Sequence, residues 1–355
     1  MDFGVYSFAE TPRDPQTGLA VDPGVRLRNL LEEIEVSDRL GLDVFGVGEH
    51  HRPDFAASSP AVILAAAGAR TSRIKLGSAV TVLSSADPVR VYQDFATLDL
   101  MTKGRAEIIV GRGSFIESFP LFGQDLSDYD SLFSENLELL LEIRARERVT
   151  WRGGHRAAIS DRGVYPRTRD DLPIWIAIGG TPESAVRAGT LGLPLALAII
   201  GGMPERFKPL IDLYRESARL AGQPESRLQV AINVHGFVAD TATAAAEIVW
   251  PAYSETMGRI GRERGWPPPT RGQYEASLGP RGSLFVGGPR EVADKILFLR
   301  RIFQMDRFVM QFTVGAIAHD KVLRALELFA TEVVPLVREG LAVANGEALL
   351  SRFVS

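Results

Sequence analysis

The chain has 355 residues, is 45% hydrophobic and 24% charged, carries a net charge of −4 and contains no cysteine. The missing cysteine excludes disulfides, thiolate nucleophiles and cysteine-ligated zinc. The small acidic balance, with no lysine and arginine stripe, argues against nucleic acid as a partner. No apolar run reaches the roughly 20 residues that a membrane helix needs. The start Met1-Asp2-Phe3-Gly4-Val5-Tyr6 lacks the basic region and long apolar stretch of a secretory leader. A cytoplasmic protein without a membrane partner is expected.

Strand-like apolar runs fall at 3–7, 43–47, 74–80, 105–111, 174–178, 195–200, 229–238 and 307–312. Helical spacing separates them, as in Leu27, Leu30, Leu31 and Ile34, and again in Leu132, Leu139, Leu140 and Ile143. Ser59-Pro60 and Asp87-Pro88 each set a capping residue before a proline at the first helical position. This alternation predicts an α/β chain folded as one (β/α)8 barrel domain over 1–355, with its chemistry at the C-terminal ends of the strands. Two stretches break the alternation. Residues 148–172 read as an inserted hairpin or loop, turning at Gly153-Gly154. Residues 264–283, with Gly265-Trp266-Pro267-Pro268-Pro269, read as irregular, either a lid or a spacer.

The candidate chemistry sits at successive strand ends. The second run stops at Gly48-Glu49-His50-His51, two of only five histidines, before Arg52-Pro53. Histidine is the side chain suited to proton transfer near neutral pH. The third passes through Gly77-Ser78-Ala79-Val80, small enough for a flat ligand to approach the backbone. The fourth ends at Gly111-Arg112-Gly113, and the fifth at Gly179-Gly180-Thr181, with a helix expected from Pro182 through Ser184. Glycines ahead of a helix N-terminus leave amides free for an anion, and an arginine nearby adds a rigid cation. Each element has a structural alternative: a hydrogen-bonded histidine, a plain turn, an arginine in a rim ion pair. A metal is not expected, because adjacent residues on a strand point opposite ways and the helical His-x-x-x-His spacing is absent. Arg105, at a strand start, reads as structural.

These blocks resemble the bacterial luciferase-like flavin-dependent monooxygenases along nearly the whole chain. The matching residues are Glu49-His50-His51; Gly77-Ser78-Ala79-Val80 with Leu83 and Asp87-Pro88-Val89-Arg90; Leu98-Asp99-x-Met101-x-x-Gly104-Arg105; and Gly111-Arg112-Gly113. Further matches run from Pro173 to Gly180, then through Gly192-Leu193-Pro194, Val286-Gly287-x-Pro289, and Leu328-Phe329-x-x-Glu332-Val333-x-Pro335.

The resemblance implies a flavin-binding TIM barrel acting on paired donors. Reduced FMN would come from a separate flavin reductase, and dioxygen would form a C4a-peroxyflavin that oxidises a small organic substrate. His50 takes the place of the active-site histidine, His51 points away, and Glu49 orients it or packs locally. Arg112 takes the place of the phosphate-contacting arginine, with Gly179, Gly180 and Ser184 on the same phosphate. Ala79-Val80 lies where the family can have a non-prolyl cis peptide against the flavin. The family's light-emitting subunit has a cysteine at the position of Gly111, so light emission is not expected. The run 195–200 suits an apolar substrate, or is an ordinary barrel strand. The alanine-rich segment 60–68 is where the family commonly forms homodimers. The same resemblance admits two alternatives: a deazaflavin-dependent hydride-transferring oxidoreductase, and a non-catalytic flavin-binding protein.

Overall fold

The structure, a computed structural model, describes residues 1–11, 13, 18, 20–113 and 115–354, with side chains described as far as 344. Eight parallel strands close on themselves in chain order. They are β1 (Asp2–Ser7), β2 (Val44–Val47), β3 (Lys75–Ser78), β4 (Ala106–Gly111), β5 (Ile174–Ile178), β6 (Leu195–Ile199), β7 (Val230–Val238) and β8 (Arg307–Gln311). Closure runs from Asp2↔Arg307 to Tyr6↔Gln311. The chain is a TIM barrel, with all eight predicted strands in place.

Strand alternation divides the side chains in two. Phe3, Val5, Ile108, Ile176, Leu197 and Ile232 turn outward and join the helices in the main apolar core. Ile109, Trp175, Ala196 and Ala231 turn inward and pack on one another. Beneath them Arg307 pairs with Glu107 at 2.5 Å, both side chains at most 5% exposed. The Arg307 guanidinium lies 4.5 Å from the centre of the Trp175 ring and also donates to Asp2. Trp175 and this ion pair plug the N-terminal floor of the barrel.

The helices begin largely where the sequence puts them. Asp87 accepts from the Val89 and Arg90 amides at the start of Pro88–Thr102. Ser59, by contrast, precedes the helix Pro60–Gly68 without a side-chain capping bond, which corrects one expectation. Arg105 is structural as expected: its guanidinium donates to the carbonyls of Gly68, Thr71, Ile74 and Thr102.

The insertion at 148–172 holds an antiparallel pair, Arg148–Trp151 with Ile159–Gly163. Between them the Glu135 carboxylate accepts from the Gly154 and His155 amides. The stretch 264–283 departs from expectation, because it contains the helix Arg271–Leu278. A reciprocal capping box between Thr270 and Gln273 starts that helix, and Tyr274 anchors it by donating to the Ala246 carbonyl. The proline and glycine content pointed away from a helix that its own cap specifies.

Candidate active site

After β2 the chain is pinned residue by residue. The Gly48 amide donates to the Ser7 carbonyl, the Glu49 amide to Val80 and the His50 amide to Ala57. His50 is thereby set among three phenylalanines: Phe55 stacked at 4.2 Å, Phe8 tilted at 4.4 Å and Phe115 edge-on at 5.6 Å between ring centres. Burial pushes its pKa down to about 4, against the pull of the Asp54 carboxylate. The imidazole is therefore neutral at physiological pH. Its Nδ1 is buried and has no hydrogen-bond partner. His51 goes elsewhere, its Nε2 lying 2.8 Å from Glu49 Oε1 and its ring edge-on to Phe122.

Glu49 also reaches β3. Its Oε2 accepts from the Val82 amide at 2.9 Å, just past the cis peptide Ala79-Val80. That segment is packed by residues without side chains. A Cβ at Gly46 would lie 2.7 Å from Ala79 Cβ, and one at Gly111 would lie 2.9 Å from Val80 Cγ2. Both positions are too tight for any residue but glycine. Ala79 and Val80 keep partial exposure at the barrel mouth, as do Ala177 and Ala198 on β5 and β6.

On the next two strands Arg112 and the β5 end come together. The Arg112 guanidinium donates to Thr181 Oγ1 at 3.1 Å and Ser184 Oγ at 3.5 Å. It also pairs with Asp130 at 2.5 Å, but Asp130 is 75% exposed. An ion pair of that kind contributes about 0–1 kcal/mol, so a phosphate can displace it. Thr181 precedes the helix Pro182–Leu191 without a side-chain capping bond, its carbonyl taking the Ser184 amide. Space is open where Cβ atoms of Gly179 and Gly180 would stand, and Gly180 has φ +142, a conformation suited to glycine. Arg187 adds a second cation nearby. Burial lowers its pKa first and the Arg112 charge next.

Sequence reasoning placed His50, Ala79, Val80, Arg112, Gly179, Gly180 and Ser184 at this rim, and the structure puts all of them at the C-terminal ends of β2 to β5. It missed Thr181 as a partner of Arg112. It missed the phenylalanine cage too, which no local pattern announces because its members lie on three separate loops. It also passed over the ends of β7 and β8. There His235 is 9% exposed with its Nδ1 unpartnered, and burial lowers its pKa to about 4. Beside it Gln311 donates to Glu10 at 2.5 Å, and burial lifts the Glu10 pKa to about 6 despite Arg26. The alternation of Ala231, Asn233 and His235 with Ile232 and Val234 was a readable signal of this inward polar face.

Known proteins give the same picture. The chain is 28% identical over 344 residues to 4-hydroxyprotoasukamycin monooxygenase from Streptomyces nodosus subsp. asukaensis, spanning 90% of each. It is 28% identical over 207 residues to an F420-dependent glucose-6-phosphate dehydrogenase from Amycolatopsis mediterranei, covering 55% of this chain and 60% of that protein. Monooxygenase RslO1 from Streptomyces bottropensis superposes with a TM-score of 0.81 at 26% identity, covering 94% of this chain and 99% of its own. The oxygenating constituent of 3,6-diketocamphane monooxygenase from Pseudomonas putida, solved with FMN, gives a TM-score of 0.73 at 19% identity, covering 95% and 98%. The luciferase-like monooxygenase model matches residues 1–303, most of the barrel just described, so the chain belongs to that family.

Proposed function

We propose that this chain is a monooxygenase that takes reduced FMN and dioxygen and inserts one oxygen atom into a small organic substrate with an apolar body. The observation that carries the reading is Arg112 bridging Thr181 and Ser184 beside the open Gly179-Gly180 turn, a cradle for a phosphate. Ala79 and Val80, held against Gly46 and Gly111, keep partial exposure and offer the mouth a face of small side chains for a flat ring. The donor set and the shape of the mouth both fit FMN. When bound, reduced FMN supplies the two electrons that reduce dioxygen, with the second oxygen atom leaving as water.

The protein's own contribution follows from its residues. Arg112, Thr181, Ser184 and the open Gly179-Gly180 turn would bind and orient the phosphate. His50, neutral and with Nδ1 unpartnered, holds or delivers a proton at that atom, and Phe8, Phe55 and Phe115 keep water from competing. Glu49 fixes the Val82 amide and His51, keeping the β2 and β3 ends in one arrangement.

Two partners follow from this reading: a separate reductase to supply reduced FMN, and a second copy of the chain. The second copy would dock on the helices Pro60–Gly68 and Pro88–Thr102, where Val62 is 70% and Met101 62% exposed. The test is an anaerobic titration with FMN and reduced FMN, followed by mixing with oxygen and analysis for oxygenated product over a substrate panel. Binding of the reduced form with oxygen-dependent product supports the proposal; no binding of either form sinks it. Similarity to the F420-dependent relative keeps one other reading, hydride transfer with a deazaflavin. Preferential binding of that cofactor without oxygen consumption would establish it.

A further inference from the structure

The half of the barrel mouth away from the phosphate cradle holds a second polar constellation. On β7 and β8 the inward residues His235 and Gln311 are register partners. The Gln311 Nε2 donates to Glu10 Oε1 at 2.5 Å and to the Thr313 carbonyl at 2.8 Å. Both partners are acceptors, so the amide has one orientation and its oxygen must be the other end. That Oε1 is buried without a partner in a residue only 3% exposed. Thr313 donates to the second Glu10 oxygen at 2.8 Å, holding the carboxylate that holds the amide. The adjacent His235 Nδ1 is unpartnered too, in a residue 9% exposed.

Burying a polar atom without a partner is costly, so a ligand that meets one gains by it. Two on paired residues, one of them clamped into place by a three-residue network, form an arrangement built for something to meet. The strand order places the pair across the barrel from β3 and β4, which carry Ala79, Val80 and Arg112. The neighbouring inward residues are Asn233 on the strand of His235 and the apolar Val309 on the strand of Gln311.

We propose that His235 and Gln311 form the substrate's hydrogen-bonding subsite, recognising one hydroxyl or N–H on an otherwise apolar molecule. Gln311 Oε1 accepts that hydrogen, and His235 Nδ1 meets the same group or its neighbour. Glu10 is a positioning residue, acting through the Gln311 amide. A site that leaves a buried acceptor unpaired discriminates against the analogue lacking the donor. This inference rests on the oxygenase reading for the identity of the ligand as substrate, and its test is kept separate from flavin binding.

The experiment is calorimetric binding of matched pairs, phenol with benzene and 2-naphthol with naphthalene, to the protein alone and to the protein loaded anaerobically with reduced FMN. The wild type should bind the hydroxylated member of at least one pair roughly tenfold tighter, the scale of one buried hydrogen bond. Gln311→Met, close in shape but without the amide oxygen, should erase the preference while leaving hydrocarbon binding and FMN affinity unchanged. His235→Phe should reduce the preference in part. No hydroxyl preference in any pair, or a preference that survives Gln311→Met, overturns the proposal. Failure of FMN to bind while the preference persists sinks the oxygenase reading alone. Melting temperatures show that each variant is folded. Should Gln311→Met fail to fold, His235→Phe decides: a reduced preference supports the subsite, and an undiminished one overturns it.

Discussion

The Phe55 ring lies almost flat on the His50 imidazole, at 21° with centres 4.2 Å apart. With Phe8 and Phe115 it makes the surroundings of His50 apolar, which is why the imidazole stays uncharged. Phe55→Ala should admit water and let the His50 pKa climb toward the ordinary value, read by NMR titration of the ring.

In the oxygenase reading, His50→Gln removes the proton carrier but keeps a polar side chain of similar reach. Oxygenated product per flavin consumed should drop by roughly 10²–10⁴-fold, the usual worth of a positioned acid or base. Hydrogen peroxide should replace the lost product, and FMN affinity should hold. Unchanged product yield would remove His50 from the chemistry.

Arg112 acts on a phosphate in this reading, so its effect should follow the phosphate. Arg112→Ala should weaken FMN by roughly tenfold to a hundredfold, or about 1.4–2.8 kcal/mol, and leave riboflavin binding nearly untouched. Arg112→Lys should recover only part, because the guanidinium holds Thr181 and Ser184 with one nitrogen and has the other left to meet the phosphate, which a single ammonium cannot match. Equal losses for FMN and riboflavin would place Arg112 outside the phosphate site.

Stability should fall in mild acid. Burial holds His50 and His235 at about 4, against about 6.5 in an unfolded chain. As pH drops from 6.5 to 4, the unfolded chain takes up protons that the folded chain refuses, so stability present above pH 6.5 is lost. Glu10 works in the other direction. Its folded pKa is raised from 4.5 to about 6, so its protonation favours the folded chain across that interval. His235→Phe should therefore make the acid limb of a denaturation series shallower by about one proton; an unaltered slope would mean His235 titrates normally.

The floor pair should be costly to break and cheap to replace. Arg307→Met leaves the buried Glu107 carboxylate unpaired and should destabilise by about 3–5 kcal/mol, and Glu107→Gln should cost less because Asp2 still pairs with Arg307. The double substitution should recover most of that, as seen in urea unfolding. Additive losses would show that Trp175 packing, not charge pairing, governs the floor.

Much of this architecture is legible in sequence because strand runs and their helices carry local signals. The eight strands, the 148–172 hairpin and the helix at Pro182 all follow from periodicity, glycine and proline. The rim residues His50, Arg112, Gly179 and Gly180 were legible because they sit where strands stop. What escaped was contact between distant loops: Phe8, Phe55 and Phe115 meet at His50 from segments with no shared pattern. The helix Arg271–Leu278 escaped for another reason, since its Thr270–Gln273 cap is hidden among prolines and glycines that argue against helix.

The plug of Trp175, Arg307 and Glu107 leaves a ligand of flavin size one door. A ligand seated nearer the plug would be shielded by one seated nearer the mouth, so the order of addition should matter to turnover. The outer ligand, added first and in excess, should act as a cork and inhibit its own turnover.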